Sequence, residues 1–372
     1  MLLSIVHVLL AINQVQIFNP PNSYLRHMNI FLDDSACRQS LFPFTLTRHA
    51  ADIRVGILTI REKWEQLFNG DISISSAPVA GTIVINAAII PTRENYKLIL
   101  QAAQEETILA ETDLVKILQH PWHIYQYNDQ ALRNDFDLVT TGRSSQVISP
   151  TNQLIAPENI FLEEGAVVEH SILNATAGPI YIGKNAQVME GCLIRGPFSL
   201  GDGATLKMGS RVYGATTLGP HCVGGGEIKN SVMFAYSNKA HDGYLGDSVI
   251  GEWCNLGAGT SNSNVKNTGG NVKYITDTNM SSIIAGSKAG LLMGDYSRAA
   301  INTSFNTGTI VGVCCNIFGN APGKFINNFS WGSERYIFEK AISDIANWKK
   351  MKGQQVKEKE IEMLRHIYNN NQ

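Results

Sequence analysis

Hydrophobic positions in the second half of the chain recur every six residues. The run consists of Ile182, Val188, Ile194, Leu200, Leu206, Val212 and Leu218, and a mostly small residue follows each of them four positions later. The same spacing returns at Ile250 and Leu256, and again from Met293 to Ile317. A helix repeats every 3.6 residues and a coiled coil every seven, so neither accounts for this period. A six-residue repeat predicts a parallel β-helix with aliphatic side chains inside and small residues at its corners.

The first half of the chain alternates patterns typical of strands and helices. We predict strands at 28–34 and 81–85, an amphipathic helix with Ile53, Ile57, Ile60, Trp64 and Leu67 on one face, and further helices over 94–118 and 128–139. A polar segment with two prolines, 144–157, indicates a domain boundary. The predicted organisation is an α/β domain over 28–150, a β-helix over 151–330 and a helical segment over 331–372, broken near Gly353.

Residues 1–27 are treated separately because their pattern fits neither domain. The stretch from Met1 to Ile12 is apolar, but it is too short to span a bilayer and lacks a basic flank. A strand pattern begins at Met28. We favour an assigned start that lies too early, with Met28 as the true start, over a signal or leader segment.

Composition narrows the classes of partner. The formal charge is −2, and no basic stripe is present, which disfavours nucleic acid. The six cysteines show no CxxC spacing, so a zinc knuckle is disfavoured. Scattered cysteines in a long chain indicate a reduced, cytoplasmic protein. We expect no membrane partner. The expected partners are small molecules.

The six-residue repeats resemble those of the hexapeptide-repeat family, which implies three hexapeptides per coil, so side chains separated by three repeats are expected to stack. Arg211 and Lys229 have this separation, and two stacked cations favour an anion such as a sugar phosphate between them; the alternative is two solvated surface bases. The period loses register between Gly224 and Leu245, which predicts a loop that leaves the β-helix. That loop contains Lys239, His241 and Tyr244. A single loop histidine is more often solvated than catalytic, so its neighbours decide its role.

The repeats resemble known families. Units such as Ile182-Gly-Lys-Asn-Ala186 are similar to the hexapeptide-repeat family, which implies a left-handed β-helix. The run from Arg211 to Asn264, with Glu227-Ile-Lys229, His241-Asp-Gly-Tyr244-Leu-Gly-Asp247 and Asn255-Leu-Gly-Ala-Gly-Thr260, resembles the acetyltransferase domain of the bifunctional N-acetylglucosamine-1-phosphate uridylyltransferase/glucosamine-1-phosphate acetyltransferase family. The sequence departs from that family in lacking a glycine between Ala240 and His241.

That resemblance implies a role for each matching residue. His241 would be the general base, taking a proton from the 2-amine of glucosamine 1-phosphate; the unperturbed pKa of histidine suits this task. Arg211, Lys229 and Tyr244 would hold the sugar phosphate, and Asn255 would position the sugar. Ala258 and Asn264 would contact acetyl-CoA, and Lys273 is a further substrate-binding candidate implied by archaeal-type enzymes. The resemblance also implies a homotrimer.

The first domain resembles an alternate bacterial group of the same family, related to sugar nucleotidyltransferases. The resemblance rests on Leu41-Phe-Pro-Phe-Thr-Leu-Thr-Arg48, Arg54-Val-Gly56 and Arg61-Glu-Lys63-Trp64, and no glycine-rich phosphate loop is present. It implies that Arg48, Arg54, Arg61 and Lys63 meet UTP or another NTP together with Mg²⁺; the alternative is that some of them line the outer face of a helix. The metal ligands are unknown, and Asp33, Asp34 and Asp137 are candidates.

The sequence therefore predicts a reduced nucleotidyltransferase-like α/β domain followed by a left-handed β-helix acyltransferase domain, in amino-sugar nucleotide synthesis of the UDP-N-acetylglucosamine type. Two alternatives stay open: a non-catalytic regulatory protein that binds a sugar nucleotide, and a hexapeptide acyltransferase for another amino sugar. A zinc site built from His170, His221 and His241, as in γ-carbonic anhydrases, is disfavoured by their spacing.

Overall fold

The computed structural model describes residues 28–68, 72–75, 77–276, 281–319 and 323–370. The expectation for residues 1–27 lies outside this part of the chain. In the first domain, β1 (Met28–Asp33) lies between the parallel strands β2 (Ile72–Ser75) and β3 (Ile83–Asn86), and β4 (Ile89–Ile90) pairs antiparallel with β5 (Lys116–Ile117). The helices of this domain are α1 (Ile60–Leu67), α2 (Tyr96–Gln104), α3 (His123–Gln126) and α4 (Asn128–Thr140), with short 3₁₀ turns at Phe44–Leu46 and Ala50–Asp52.

Two helix predictions in this domain were too long. α1 begins only after Thr59, because a capping box fixes its start: the Thr59 hydroxyl accepts from the Glu62 amide, and the Glu62 carboxylate accepts from the Thr59 amide. Ile53 and Ile57 precede it. α2 ends at Gln104, since Glu106 has a positive φ of 53° and residues 116–117 form a strand.

The second domain is a left-handed parallel β-helix, as predicted. Face 1 is the six-stranded sheet of Gln153–Ile155, Ile172–Asn174, Leu193–Arg195, Arg211–Tyr213, Glu227–Lys229 and Tyr244–Gly246. Face 2 is the nine-stranded sheet of Ile160–Leu162, Ile180–Ile182, Phe198–Leu200, Thr216–Leu218, Val232–Met233, Val249–Ile250, Leu291–Met293, Thr309–Val311 and Phe325–Ile326. Face 3 is the ten-stranded sheet of Val167–Val168, Gln187–Val188, Thr205–Leu206, Val223–Gly224, Asn238–Lys239, Asn255–Leu256, Arg298–Ala299, Asn316–Ile317, Ser330–Trp331 and Glu334–Arg335. Ser261–Asn262 pairs with Ser304–Phe305 beyond face 1, and a 3₁₀ turn covers Pro157–Asn159.

The six-residue period places one side chain of each strand in the interior. Ile182 pairs with Leu200 and Leu200 with Leu218, three hexapeptides further along at each step, and all three side chains are fully buried. The repeated aliphatic residues therefore form a continuous core, as the sequence predicts.

The two coils that directly follow Leu218 are shorter than three hexapeptides. Leu218 pairs with Met233, and Met233 pairs with Ile250, so each coil closes before the third repeat is complete. The predicted loop between Gly224 and Leu245 is wrong: this segment stays in the solenoid and adds a strand to each face. The chain instead leaves the β-helix after Asn262 and forms an antiparallel hairpin of Val272–Ile275 and Ser282–Gly286 before face 2 resumes at Leu291.

The first domain packs on face 2 and on this hairpin. Outward residues of face 2, such as Val232, Val249 and Leu292, belong to one buried cluster with the core of the first domain. Buried Asn128 joins the two domains, since it accepts from the Gly56 amide and donates to the Ala215 carbonyl.

The C-terminal helices are α5 (Phe338–Met351) and α6 (Glu358–Asn370). They pack on a corner of the β-helix through Trp253, Tyr296 and Phe329. The predicted helical segment began too early, because Trp331 and residues 334–335 still form strands of face 3. None of the helices among the described residues combines the length and apolarity needed to cross a membrane.

Candidate functional site

Face 1 brings several predicted site residues together. Arg211 pairs with Glu227 and Glu227 with Tyr244, which places these three outward residues on successive coils. Lys229 pairs with Tyr213, two positions along the same strands. The predicted stacking of Lys229 on Arg211 is wrong, because the coil between them is shorter than three hexapeptides and brings Glu227 beside Arg211 instead.

The negatively charged group beside Arg211 is the side chain of Glu227. The Arg211 Nε lies 3.9 Å from the Glu227 carboxylate, and the Tyr213 hydroxyl donates to the same carboxylate at 2.6 Å. This hydrogen bond raises the pKa of Tyr213 to about 12. The Lys229 ammonium lies 5.8 Å from the centre of the Tyr213 ring, within cation–π range. Face 1 therefore presents two cations around one carboxylate and one aromatic ring.

Tyr244 is held by polar groups behind it. The Asn264 Nδ2 donates to the Tyr244 hydroxyl at 3.0 Å and also to the Asp247 carboxylate, while Asn230 donates to the other Asp247 oxygen at 2.7 Å. A carboxylate only accepts, so the NH₂ end of the Asn264 amide must face Asp247. Burial and the Asp247 charge raise the pKa of Tyr244 above its ordinary value. The phenol therefore stays protonated, and because it accepts from Asn264, its own O–H remains to donate elsewhere.

His241 lies at the corner between faces 3 and 1, and its side chain is exposed. The corner 240–243 packs directly on the glycines of the coil below: a Cβ at Gly225 would collide with the Ala240 carbonyl, and one at Gly226 would lie 2.9 Å from the His241 carbonyl oxygen. Side chains at either position would force the corner outward. The backbone of this corner is thus fixed by close packing on Gly225 and Gly226.

Of the remaining predicted residues, Ala258 lies next to this corner, whereas Asn255 and Lys273 lie on other elements. Asn238 pairs with Asn255, and the same offset puts Ala258 at the corner above His241, where the Gly259 amide donates to the Asp242 carbonyl. Asn255 itself lies outward on face 3, not on face 1. Lys273 is exposed on the hairpin, where it pairs with Ile284.

The predicted nucleotide-binding residues of the first domain are engaged in ion pairs. Arg48 bonds to Asp295 of the β-helix, lies over the Phe234 ring and is 8% exposed. Arg54 lies 3.3 Å from Glu62 and Arg61 lies 2.6 Å from Asp52. Lys63 and Asp135 form a pair whose side chains are 1% and 2% exposed. This geometry favours a structural role for Lys63, because its ammonium is closed off from solvent.

The carboxylates predicted as Mg²⁺ ligands either have hydrogen-bond partners within the protein or lie exposed. Asp33 accepts from Ser35, Asp34 accepts from Arg38 and from the Ala50 amide, and Asp137 is exposed on α4. Within the described ranges no three His, Cys, Asp or Glu side chains group closely enough to hold a metal ion. The three histidines of the zinc alternative, His170, His221 and His241, form no such group either among the described residues. All six cysteines are buried free thiols.

Sequence reasoning missed Tyr213, Asn230 and Asp247. Tyr213 enters the site only because the coil shortens, which the six-residue period conceals. Asp247 was visible as the last residue of the Tyr-Leu-Gly-Asp motif, but its contacts with two asparagines depend on the corner and on the chain beyond face 1.

Comparisons with known proteins agree with the two-domain arrangement. A family model described as sugar nucleotidyl transferase matches residues 29–116. The chain is 31% identical over 185 residues to "Bifunctional protein GlmU" of Rubrobacter xylanophilus, covering 48% of this chain and 35% of the relative. It is 34% identical over 102 residues to "Bifunctional sugar-1-phosphate nucleotidylyltransferase/acetyltransferase" of Sulfurisphaera tokodaii, covering 27% and 24%. The family model and these relatives indicate a transferase.

The chain matches only about a third of the length of the first of these relatives and about a quarter of the second. Among solved structures, a UDP-N-acetylglucosamine acyltransferase from Campylobacter jejuni is similar with a TM-score of 0.31 and 10% identity, over 61% of this chain and 97% of that chain.

Proposed function

We propose that the β-helix domain transfers an acetyl group from acetyl-CoA to the amine of an amino-sugar 1-phosphate, with glucosamine 1-phosphate as the leading candidate. The observation that carries this proposal is the position of the His241 corner beside face 1, where Arg211, Lys229 and Tyr244 are exposed or half-buried. Two cations and one O–H donor suit a sugar phosphate, and an exposed histidine suits proton transfer.

In the proposed reaction the sugar amine attacks the thioester carbonyl carbon. The C–N bond forms, the C–S bond breaks, and His241 takes the amine proton and returns it to the departing CoA thiolate. Arg211, Lys229 and the Tyr244 O–H hold the sugar phosphate. The half-buried Ala258 offers a close approach for acetyl-CoA at the corner above His241. Asn255, Asn264 and Lys273 remain binding candidates, and a homotrimer is part of the proposal.

The test is release of CoA thiol by the purified protein with acetyl-CoA and glucosamine 1-phosphate. His241→Ala is expected to lower kcat by about 100-fold to 10,000-fold, the usual contribution of a general base, with an unchanged unfolding transition. UDP-linked amino sugars tested in parallel separate the other-acyltransferase alternative. Wild-type protein that binds a sugar nucleotide but turns over no amino sugar would support the regulatory alternative and refute the proposal.

A second candidate function is nucleotidyl transfer to the acetylated sugar phosphate in the first domain. The match of residues 29–116 to the sugar nucleotidyl transferase model favours it. The buried Lys63–Asp135 pair and the occupied Asp34 carboxylate weigh against it. Pyrophosphate release from UTP or dTTP with N-acetylglucosamine 1-phosphate, in the presence of Mg²⁺, is the direct assay.

A further inference from the structure

Lys239 occupies a position that the β-helix otherwise fills with apolar residues. The interior positions of face 3 on the coils around it are Leu206, Gly224, Leu256 and Ala299, and Lys239 lies between Gly224 and Leu256 in this column. Its side chain is 2% exposed. A lysine inside the bore of a solenoid breaks the pattern that builds the core, and such breaks in natural proteins are expected at functional sites.

The coil below Lys239 has a glycine at the same interior position. A Cβ at Gly224 would lie 2.5 Å from the Leu218 Cδ1 and 3.3 Å from the Leu206 and Ile228 Cδ1 atoms, so glycine is the residue that fits. The space that a side chain at position 224 would need is therefore taken by Leu218, Leu206 and Ile228. Two successive positions of this interior column, Gly224 and Lys239, thus depart from the aliphatic pattern.

The ammonium group joins two successive coils at the corner formed by residues 240–243. The Lys239 Nζ donates to the Gly225 carbonyl at 2.9 Å and to the His241 carbonyl at 2.8 Å. Gly225 lies directly under Ala240. The two hydrogen bonds of Lys239 therefore connect the backbone of the lower coil at Gly225 to the backbone of the corner at His241. A carbonyl of the histidine itself is thus fixed from inside the β-helix.

This arrangement is costly for folding. Burial lowers the pKa of Lys239 to about 8, against the opposing attraction of Asp242. Burying a charge without a direct carboxylate partner is unfavourable, and an aliphatic residue would fill the bore without that cost. The cost makes a purely structural role for Lys239 a poor explanation.

We propose that Lys239 is a positioning residue, whose ammonium clamps the Gly225 and His241 carbonyls and thereby fixes the His241 imidazole relative to Arg211 and Tyr244. The inference rests on the proposed role of His241 as the base. It assigns Lys239 no contact with substrate.

The central experiment compares Lys239→Met with the wild type and with Leu206→Met. Methionine keeps an unbranched apolar stem and removes both hydrogen bonds, and Leu206 lies in the same interior column two coils below. Lys239→Met is expected to lower kcat by about 10-fold to 100-fold, the loss typical of a displacement of about 1 Å at a catalytic group, with unchanged KM for both substrates. Leu206→Met is expected to retain wild-type kcat, as volume-conserving core changes are well tolerated.

Stability separates positioning from a structural role. The lost hydrogen bonds and the relieved buried charge oppose each other, so the Tm of Lys239→Met should stay within about 4 °C of the wild type. A large fall in Tm that accounts for the lost activity would overturn the proposal, and so would an unchanged kcat. If the methionine variant does not fold, Lys239→Gln, which keeps a shorter neutral donor, is judged by the same kcat and Tm criteria.

Hydrogen exchange provides a readout that needs no activity. Faster exchange at the amides of residues 240–243 in Lys239→Met, with the amides of Leu206→Met unchanged there, is the expected result; equal exchange would overturn the clamp. An inactive wild type with the expected exchange difference would refute the proposed function and leave the clamp intact. An active wild type, an inactive His241→Ala and a fully active Lys239→Met would refute the positioning role alone.

Discussion

Lys229 lies beside Tyr213 rather than Arg211 on the exposed face of the β-helix, with its ammonium 5.8 Å from the tyrosine ring. Glu227 takes the place beside Arg211 and accepts a hydrogen bond from Tyr213. The cations of the candidate site are therefore held apart by an aromatic ring and a carboxylate. An incoming phosphate would compete with Glu227 for Arg211.

This competition predicts opposite effects of two substitutions. Glu227→Gln removes the competing charge and should lower the KM for the sugar phosphate by about two- to fivefold, in keeping with the value of an exposed ion pair. Lys229→Met should raise that KM by about 10-fold or more, because a charged hydrogen-bond donor is lost. Steady-state kinetics with varied sugar phosphate measures both, with Lys184→Met at an exposed corner as the matched control. A higher KM in Glu227→Gln would mean that Glu227 assists binding.

The contact of Asn264 with Tyr244 predicts that these residues act together. Tyr244→Phe removes the O–H donor and should lower kcat/KM for the sugar by about 10-fold to 100-fold. Asn264→Ala leaves the phenol without its fixed partner and should lower the same parameter to a smaller extent, and the double variant should be no worse than Tyr244→Phe. An effect of Asn264→Ala confined to the KM for acetyl-CoA would instead support the cofactor contact implied by the family resemblance.

The six-residue period correctly predicts most of the β-helix but assigns Lys229 of the candidate site to the wrong neighbour. Seven interior residues from Ile182 to Leu218 were identified because each coil there has the same length. The next two coils fall short of three hexapeptides, so a count of three full repeats puts Lys229 on Arg211. The same shortening breaks the six-residue register between Gly224 and Leu245, so the sequence predicts a loop where the chain continues as strands.

The ion pairs of the first domain were beyond sequence reasoning for a different reason. Arg48 meets Asp295, and Lys63 meets Asp135, each from a distant part of the chain. From the sequence alone, basic residues near a helix are equally consistent with binding a phosphate and with a structural ion pair to a carboxylate of the protein. Only the folded chain brings the carboxylates to them.

The buried Lys63–Asp135 pair predicts a large loss of stability when one partner is removed. Lys63→Met leaves a buried carboxylate without its cation and should lower the free energy of unfolding by about 3–5 kcal/mol. The double variant Lys63→Met/Asp135→Asn should recover most of this loss, since asparagine keeps an acceptor for the Ile57 and Leu58 amides without the charge. Urea unfolding measures both. If Lys63 instead serves a nucleotide, Lys63→Met will fold with wild-type stability and lose affinity for UTP.

The lowered pKa of Lys239 predicts how stability depends on pH. In the folded protein this pKa is about 8, against 10.5 for an unperturbed lysine, so between these values the unfolded chain binds the extra proton. The penalty for the buried charge is fully present below pH 8 and is relieved as the pH rises to 10.5, by at most about 3 kcal/mol. The unfolding free energy of the wild type minus that of Lys239→Met should therefore increase with pH across this window, and the contributions of all other groups cancel in the difference. Urea unfolding of both proteins at intervals from pH 7 to pH 10 measures it, and a difference that does not change with pH would show that Lys239 carries its proton as easily as a surface lysine.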